Sequence, residues 1–322
     1  MIDLSAFQSL LGVLRLPIRT NEPLARYTTA RIGGEADVLV EATSAEALKD
    51  VVSAARQSGV PITIMGGGAN VLVSDAGIRG LTIINRARRI EFREGGRVWC
   101  ESGTVLPTLA RECVARGLAG LEWAVGVPGS VGGAIAGNAG AHGRDTAADL
   151  LTAAILNEHG VVKEWSKDEL GFEYRSSRIK REAGSRRQPY GDASREAEKH
   201  TTPYVVLAAT FQLTPADPKE LEKKADEFND YRRRTQPPGA SLGSMFKNPP
   251  GNAAGRLIDQ CGLKGARVGD AEVSTVHANF FVNHGHATAS DVRALLDLAR
   301  QNVLDKFGIE LELEIELLGE WY

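Results

Sequence analysis

The chain has 322 residues, 43% of them apolar and 25% charged, with 35 glycines and a formal net charge of -3. This length exceeds what one hydrophobic core usually fills, so several lobes with a cleft between them are expected, and the composition excludes a disordered chain. The near-neutral charge offers no basic field to neutralise a phosphate backbone, which argues against nucleic acid as a partner.

In chain order, residues 1–18 carry Asp3 early and Arg15 late, and their apolar run 10–14 is broken by Gly12. They lack the layout of a secretory signal, and no later stretch is apolar for long enough to cross a bilayer. A cytoplasmic location without membrane insertion is expected. Residues 38–41 form a β-prone run, and 45–58 place Leu48, Val51, Val52 and Ala55 at helical spacing behind a Ser44 cap. The run 61–65 predicts a second strand that enters Gly66-Gly67-Gly68, completing a βαβ-like unit. Short strands follow at 81–84, 90–92 and 98–101, then a helix over 107–116 with Thr104 near its start and Gly117 to stop it. That helix leads into a second glycine-rich stretch, 126–143.

Residues 180–203 are polar and almost free of large apolar side chains, which predicts a mobile excursion. A strand pattern resumes at 205–213. The helix predicted over 219–234 puts Leu221, Ala225 and Phe228 on one face and ends before Pro237-Pro238. The last helix, 291–307, is expected to start after Ser290 and to stop at Gly308, with Val292, Leu295, Leu296, Ala299, Val303 and Phe307 as its apolar stripe. Strict alternation over 311–317 predicts a strand with Glu312, Glu314 and Glu316 on one face.

Chemistry concentrates in a few of these segments. Cys100, Cys113 and Cys261 show no CxxC spacing, so neither a disulfide framework nor a zinc site is expected. His142, His277, His284 and His286 match no metal-helix spacing, and no metal is expected. Gly66 to Asn70 follow a predicted strand, where residues without side chains let backbone N–H groups reach an anionic oxygen. Their spacing fits neither GxGxxG nor GxxxxGK[ST], and alone the segment reads as a tight turn. The second loop, 127–133 and on through Gly140, changes that weighting, because two such loops on one lobe can hold the two phosphates of a dinucleotide. Residues 241–249 combine a hydroxyl, an ammonium and an amide; a lone serine there usually caps backbone N–H groups, but Lys247 adds a cation that would favour an alkoxide on Ser244. Arg175 precedes a basic run and by itself reads as surface charge. Three like charges stacked on one strand face would push a cleft-facing carboxyl toward a raised pKa.

Together and in order, these segments resemble the UDP-N-acetylenolpyruvoylglucosamine reductase family over most of the chain. The resemblance is carried by residues 21–24 and 28–34, GGGANVLVS from Gly66, VPGSVGGAIAGNAGAHG from Val127, Tyr174-Arg175-Ser176-Ser177, GSMFKNP from Gly243, the stretch from Ala254 to Asn283, and LELEIELLG from Leu311. The Ser-x-Phe-Lys-Asn-Pro string, with Tyr-Arg before it and the LExE strand after it, is the specific part. An α+β fold is implied. It has an FAD-binding domain of the vanillyl-alcohol-oxidase (PCMH) type over 1–215, in two lobes of about 1–88 and 89–215. A smaller α/β substrate-binding domain follows over 216–322, its final strand returning to the active site.

The resemblance further implies non-covalent FAD held by Tyr27, Thr28, Gly66, Gly67, Gly68, Ala69, Asn70, Val71, Pro128, Gly129, Ser130, Gly132, Gly133, Asn138 and Gly140. It implies substrate contacts from Tyr174, Lys247, Asn248, Gln260 and Asn279, and catalysis by Arg175, Ser244 and Glu314. The implied reaction is NADPH-dependent reduction of UDP-N-acetylglucosamine enolpyruvate in a ping-pong cycle, with hydride delivered from flavin N5 to the methylene carbon. Arg175 and a protonated Glu314 would stabilise the enediolate, and Ser244 would give a proton to the α-carbon. Two features depart from the family pattern: Ala69 stands where a serine is usual, and the excursion 183–203 is longer. The lack of an extra tyrosine-bearing loop points to the shorter, second type of the family, and a monomer is expected. Two rivals stay open: an oxidase of the same fold with flavin attached through His142, Cys100 or Cys113, and a non-catalytic flavin or nucleotide sensor.

Overall fold

The structure is a computed structural model that describes residues 16–184 and 203–321; of the expected excursion 183–203 only the two ends fall within it. The expectation for residues 1–18 lies almost entirely outside the described residues.

Three aliphatic runs, Glu35–Ala42, Ile78–Asn85 and Ile62–Met65, pair in parallel, and Ile18–Pro23 adds an antiparallel edge beside the first of them. Parallel strands need a covered face. The helix Ala45–Gln57 supplies the cover by burying Leu48, Val51, Val52 and Ala55, and the Ser44 hydroxyl caps it by accepting from the Ala47 N–H. The same core takes in Leu156, Val205 and Leu207 from the next sheet, so this helix is packed between two lobes.

The second sheet is antiparallel, in the spatial order Val162–Ser166, Leu150–Leu156, Val205–Gln212, Arg97–Glu101, Ile90–Arg93. The helices Leu106–Ala115, Val131–Gly137 and Pro218–Thr235 share one core with it through Leu109, Cys113, Ile135, Leu221 and Ala225. Two expectations change here. Thr104 does not cap its helix: Val105 holds that position with no side-chain bond, and Thr104 Oγ1 is buried with no partner among the described residues. The helix Pro218–Thr235, which a division after residue 215 assigns to the C-terminal part, packs on this middle lobe because its apolar face fits no other core.

In the third lobe an antiparallel sheet runs Ala240–Ser244, Phe280–Asn283, Ala271–Val273, Arg267–Val268, covered by the helices Ala254–Gln260 and Ala289–Phe307. Its core includes Ala30, Ile32 and Leu72 of the first lobe. Thr288, not Ser290, caps the last helix through a reciprocal box with Asp291, and Gly308 ends it at φ 66° as expected. Ser290 has another role. Its N–H and hydroxyl, with the Ala289 N–H, donate to the carboxylate of Asp75 in the first lobe.

The expected strand over 311–317 is broken by a change of partner. Leu313 bridges Phe246 and the Glu314 N–H donates to Met245 O, both in the third lobe, whereas Glu316–Leu318 pairs in parallel with Val71–Val73 of the first. Each backbone N–H must find an acceptor, and here successive residues find theirs in different lobes. The strand is therefore interrupted, yet the alternation holds: Leu311, Leu313, Ile315 and Leu317 all pack on the core of the third lobe, and the glutamates lie between them.

Replacing Asp75 tests the seam between first and third lobes. Asp75→Ala removes the acceptor for three donors at a helix start and should lower stability by about 2 kcal/mol in chemical denaturation. Asp75→Asn keeps one acceptor oxygen and should fall between.

Candidate active site

A cavity of about 540 Å³ opens where the three lobes meet. One wall is the loop Gly66 to Val71, the facing wall is Pro128 to Ser130 with Gly132 and Gly133, and Arg175, Lys180, Arg232, Ser244, Glu314 and Glu316 bring polar side chains to the lining.

The glycine loops take this form because their backbones nearly touch. A Cβ on Gly67 would sit 3.2 Å from Gly129 Cα, and one on Gly66 would overlap the Ser130 hydroxyl. Gly68 has φ +61° and a Cβ there would overlap Tyr27 O, so only glycine fits without moving the Tyr27-Thr28 turn. Gly129 and Gly137 differ: a Cβ on either meets nothing within 4 Å, and both line the cavity. Missing side chains thus leave room for a bulky group while backbone N–H groups remain close to it. FAD fits this cradle.

Of the residues expected at FAD, Gly66, Gly67, Gly68, Ala69, Asn70, Val71, Pro128, Gly129, Ser130, Gly132, Gly133 and Gly140 line the cavity. Tyr27, Thr28 and Asn138 do not. The Tyr27 hydroxyl donates to Glu22 and accepts from Arg19, and the Thr28 hydroxyl donates to Ile32 O at 2.8 Å. Asn138 sits at φ 43°, where its amide donates to Glu173 O at 3.0 Å and to Asp145, and its oxygen accepts from the Ala147 N–H. It holds the turn that carries Arg175.

That turn is closed by Glu173 and Ser176, which exchange N–H···O bonds of 3.0 and 3.2 Å, with Arg175 at φ 54°. Left-handed backbone costs a residue with a Cβ about 1–2 kcal/mol, a strain that persists only where the surroundings impose it. Here Asn138 imposes it from one side, and the buried Ser177 hydroxyl, donating to Ala136 O at 2.7 Å, from the other. Arg175 is not surface charge: its side chain is 25% exposed and Nε lies 2.9 Å from Glu314 Oε1. The distance is that of an ion pair, yet the N–H is not aimed at the oxygen, and Nε lacks a hydrogen-bond partner among the described residues. The contact is therefore coulombic, and the Nε–H is a buried, unsatisfied donor in the cavity wall.

Glu314 has its carboxyl pKa raised, chiefly by burial, against the opposing pull of Arg175, Lys180 and Lys247 in that order. The direction matches the expectation, but the cause does not. Stacked glutamates are not responsible, because Glu312 pairs with Lys247 and Glu316 with Lys180. Ser244 reaches the cavity through a register shift between Ser241 and Ser244 and the φ +81° of Gly243, which break the pairing with Phe280–Asn283. Its hydroxyl has no hydrogen-bond partner among the described residues. Lys247, expected to support a Ser244 alkoxide, turns to Glu312 and does not line the cavity.

The other expected substrate contacts act as scaffold or lie aside. Asn248 accepts from the Ala254 N–H at 3.0 Å, and buried Asn279 brackets Phe246 with bonds of 3.0 and 2.8 Å, so both fix the Ser244 loop. Gln260 ends a helix where its carbonyl accepts from Lys306, and Tyr174 is 56% exposed with its ring beside the Arg175 guanidinium. Neither lines the cavity.

Lining residues that were not anticipated include His142, Lys180, Tyr231, Arg232 and Glu316. Burial lowers the Arg232 pKa with no carboxylate opposing it. His142, at φ 53°, stacks on Phe228 at 4.1 Å; burial lowers its pKa, and Nε2 is buried without a partner among the described residues. A signal for Arg232 existed, since it follows Leu221, Ala225 and Phe228 at helical spacing and so shares their inward face. Cys100 and Cys113 are fully buried in the middle core, off the cavity, and burial pushes both thiols up, Cys113 to about 12. Neither offers a thiolate for flavin attachment. Among the described residues, no group of three His, Cys, Asp or Glu could hold a metal ion, and no helix is long and apolar enough to cross a membrane.

A family model for the UDP-N-acetylenolpyruvoylglucosamine reductase C-terminal domain matches residues 235–318, and one for an FAD binding domain matches 36–165. The first begins where packing leaves the middle lobe. The chain is 46% identical over 301 residues to the UDP-N-acetylenolpyruvoylglucosamine reductase of Rubrobacter xylanophilus, covering 93% of this chain and 95% of that protein. It is 42% identical over 308 residues to the Chloroflexus aggregans protein of the same name, covering 95% and 99%. The crystal structure of UDP-N-acetylenolpyruvylglucosamine reductase from Thermus caldophilus matches with a TM-score of 0.75 at 34% identity, over 94% of this chain and 99% of that one.

Two measurements probe the cavity. Gly137 has ordinary helical φ, so Gly137→Leu should keep stability within about 1 kcal/mol while its side chain fills the cradle, and the purified variant should carry little flavin. A raised folded pKa means that the native state keeps a proton the unfolded state has released. The native protein should therefore lose stability as pH climbs from the ordinary carboxylate range through the Glu314 pKa, then level off. Glu314→Gln should lack that decline, and parallel denaturation profiles for the two proteins would contradict it.

Proposed function

The chain belongs to the UDP-N-acetylenolpyruvoylglucosamine reductase family, FAD-containing oxidoreductases of peptidoglycan precursor synthesis, and from this we propose that it reduces UDP-N-acetylglucosamine enolpyruvate to UDP-N-acetylmuramate with NADPH as electron source. The observation that carries the reading is the meeting of Arg175, Ser244 and Glu314, each from a different part of the chain, in one cavity walled by two glycine loops. When bound in this cradle, FAD would supply the hydride chemistry, with NADPH as the source of the electrons and the enolpyruvyl methylene carbon as their destination.

The residues would hold the reactants as follows. Backbone N–H groups of the loop 66–70 and of Gly129 and Ser130 suit the cofactor diphosphate, since no side chain keeps it away, whereas those of Val131, Gly132 and Gly133 donate within the protein. Arg232, a half-buried cation with no acidic neighbour countering it, suits a further phosphate. Hydride addition moves negative charge onto the substrate carboxylate as an enediolate. The guanidinium of Arg175 and the hydroxyl of a neutral Glu314 can both donate to it, and both gain more from the transition state than from the substrate. An ionised Glu314 would repel that charge and neutralise Arg175, so the raised pKa is part of the chemistry. Ser244 then gives its proton to the α-carbon; its hydroxyl is not tied to another acceptor. Lys247 acts at one remove, by fixing the Glu312 end of the same segment.

The purified protein should be yellow, bleach anaerobically with NADPH, and recover its colour when the UDP-enolpyruvyl sugar is added. Failure of the sugar to restore colour would remove the substrate assignment. Ser244→Ala should slow that recovery roughly 10²- to 10⁴-fold while leaving NADPH bleaching intact. Arg175→Lys should also be poor in recovery, because an ammonium lacks the planar fork that grips a carboxylate; turnover near normal would count against the role.

A further inference from the structure

A second ion pair in the cavity wall takes no part in the steps above. Lys180 Nζ lies 3.6 Å from Glu316 Oε1, their side chains are 21% and 25% exposed, and both residues line the cavity. Lys180 belongs to the helix Arg178–Gly184, where Arg178 pairs with Glu182 and Arg181 with Glu173. Lys180 is thus the cation of this turn that faces the cavity. Glu316 is held by its backbone: it is in register with Val71, and its N–H donates to Asn70 O at 2.9 Å. Two residues earlier the Glu314 carbonyl accepts from the Asn70 side chain at 3.0 Å. Asn70 therefore fixes both glutamates on one short segment within range of one ammonium.

The charged groups around Glu314 are Arg175 from the 173–176 turn, Lys180 from the helix, Lys247 from beyond Ala240–Ser244, and Glu312 and Glu316 on its own segment. Glu312 takes up Lys247. Without a similar partner, Lys180 would add its full charge beside Glu314 in a poorly solvated wall, where nearby cations strongly favour the ionised form of a carboxyl.

We propose that Glu316 is a positioning residue for Glu314: by holding the Lys180 ammonium it limits the positive charge that Glu314 meets, and so keeps Glu314 able to carry a proton. The inference rests on the reading of Glu314 as a neutral hydrogen-bond donor. Glu316 acts by drawing the ammonium to itself. Loss of Glu316 should favour the ionised form of Glu314, and loss of Lys180 should favour the neutral form. The two effects are coupled because they pass through the same contact.

The test is an infrared pH titration of the flavin-loaded protein with isotope-labelled glutamate carboxyls, the Glu314 band being identified by its loss in Glu314→Gln. Glu316→Gln should move the Glu314 midpoint to lower pH, Lys180→Met should move it to higher pH, and in the double variant the loss of Glu316 should add little to the Lys180→Met shift, because no ammonium is left to release. The basic limb of the kcat profile should move in the same directions. Should the infrared midpoint stay put in both single variants, the positioning role is wrong. Movement of the midpoint without movement of the kcat limb would uphold the positioning role and remove the catalytic one from Glu314. If Glu316→Gln proves unfolded, Lys180→Met decides alone, and a midpoint that stays or falls in it overturns the inference.

Discussion

The pairing of Glu316–Leu318 with Val71–Val73 fixes the whole reactive constellation, because it carries the C-terminal segment from the third lobe back to the first glycine loop. Asn70 stitches that segment from both sides of Ile315, donating to Glu314 O and accepting from the Glu316 N–H. The Glu314 N–H in turn donates to Met245 O, next to Ser244. Three backbone-level bonds therefore set the separation between the FAD cradle, the carboxyl and the serine. Each lobe contributes only part of the site, so the cavity exists only when the lobes are docked.

Docking brings cost as well as position. At about 4 Å and an effective dielectric of about 20, a pair of unit charges attracts by roughly 4 kcal/mol, while burying each charge costs several kcal/mol. For Glu314 these terms are of similar size, and burial wins: the carboxyl pKa is raised although Arg175 is in contact. The orientation of Arg175 explains part of this. An ion pair without an aligned N–H···O bond gives up its short-range share, which leaves the guanidinium donor for a ligand.

What the sequence disclosed was local, and what it hid was long-range. The Ser44 cap, the Gly308 stop and the two glycine loops depend on residues a few positions apart, and they stand where they were expected. The 311–317 run has the alternation of one strand, yet its partners are Met245 and Val71, and no periodicity within seven residues can show that the partner changes midway. The helix Pro218–Thr235 has an apolar face whichever lobe it covers; only the surface offered by the middle lobe decides. Arg232 lay in a run of three arginines, where charge concealed an inward position that the helical spacing marks. A motif string also does not separate residues that touch a ligand from those that hold the ones that do.

Asn138, Asn248 and Asn279 show why that distinction has a physical cause. Each sits in a motif beside a lining residue, and each spends its side-chain amide on backbone groups of a neighbouring loop. Such bonds are worth about 1 kcal/mol apiece, close to the strain of the left-handed Arg175 that Asn138 and Ser177 oppose. Substituting one of them would not remove a reacting group. It would let the turn relax, and a displacement of about 1 Å at a reacting centre can cost 10²-fold in rate. The loops can be this rigid because the amides of these asparagines are already satisfied by the protein, and the strained arginine and the unpaired serine are among the groups with hydrogen-bonding capacity left over.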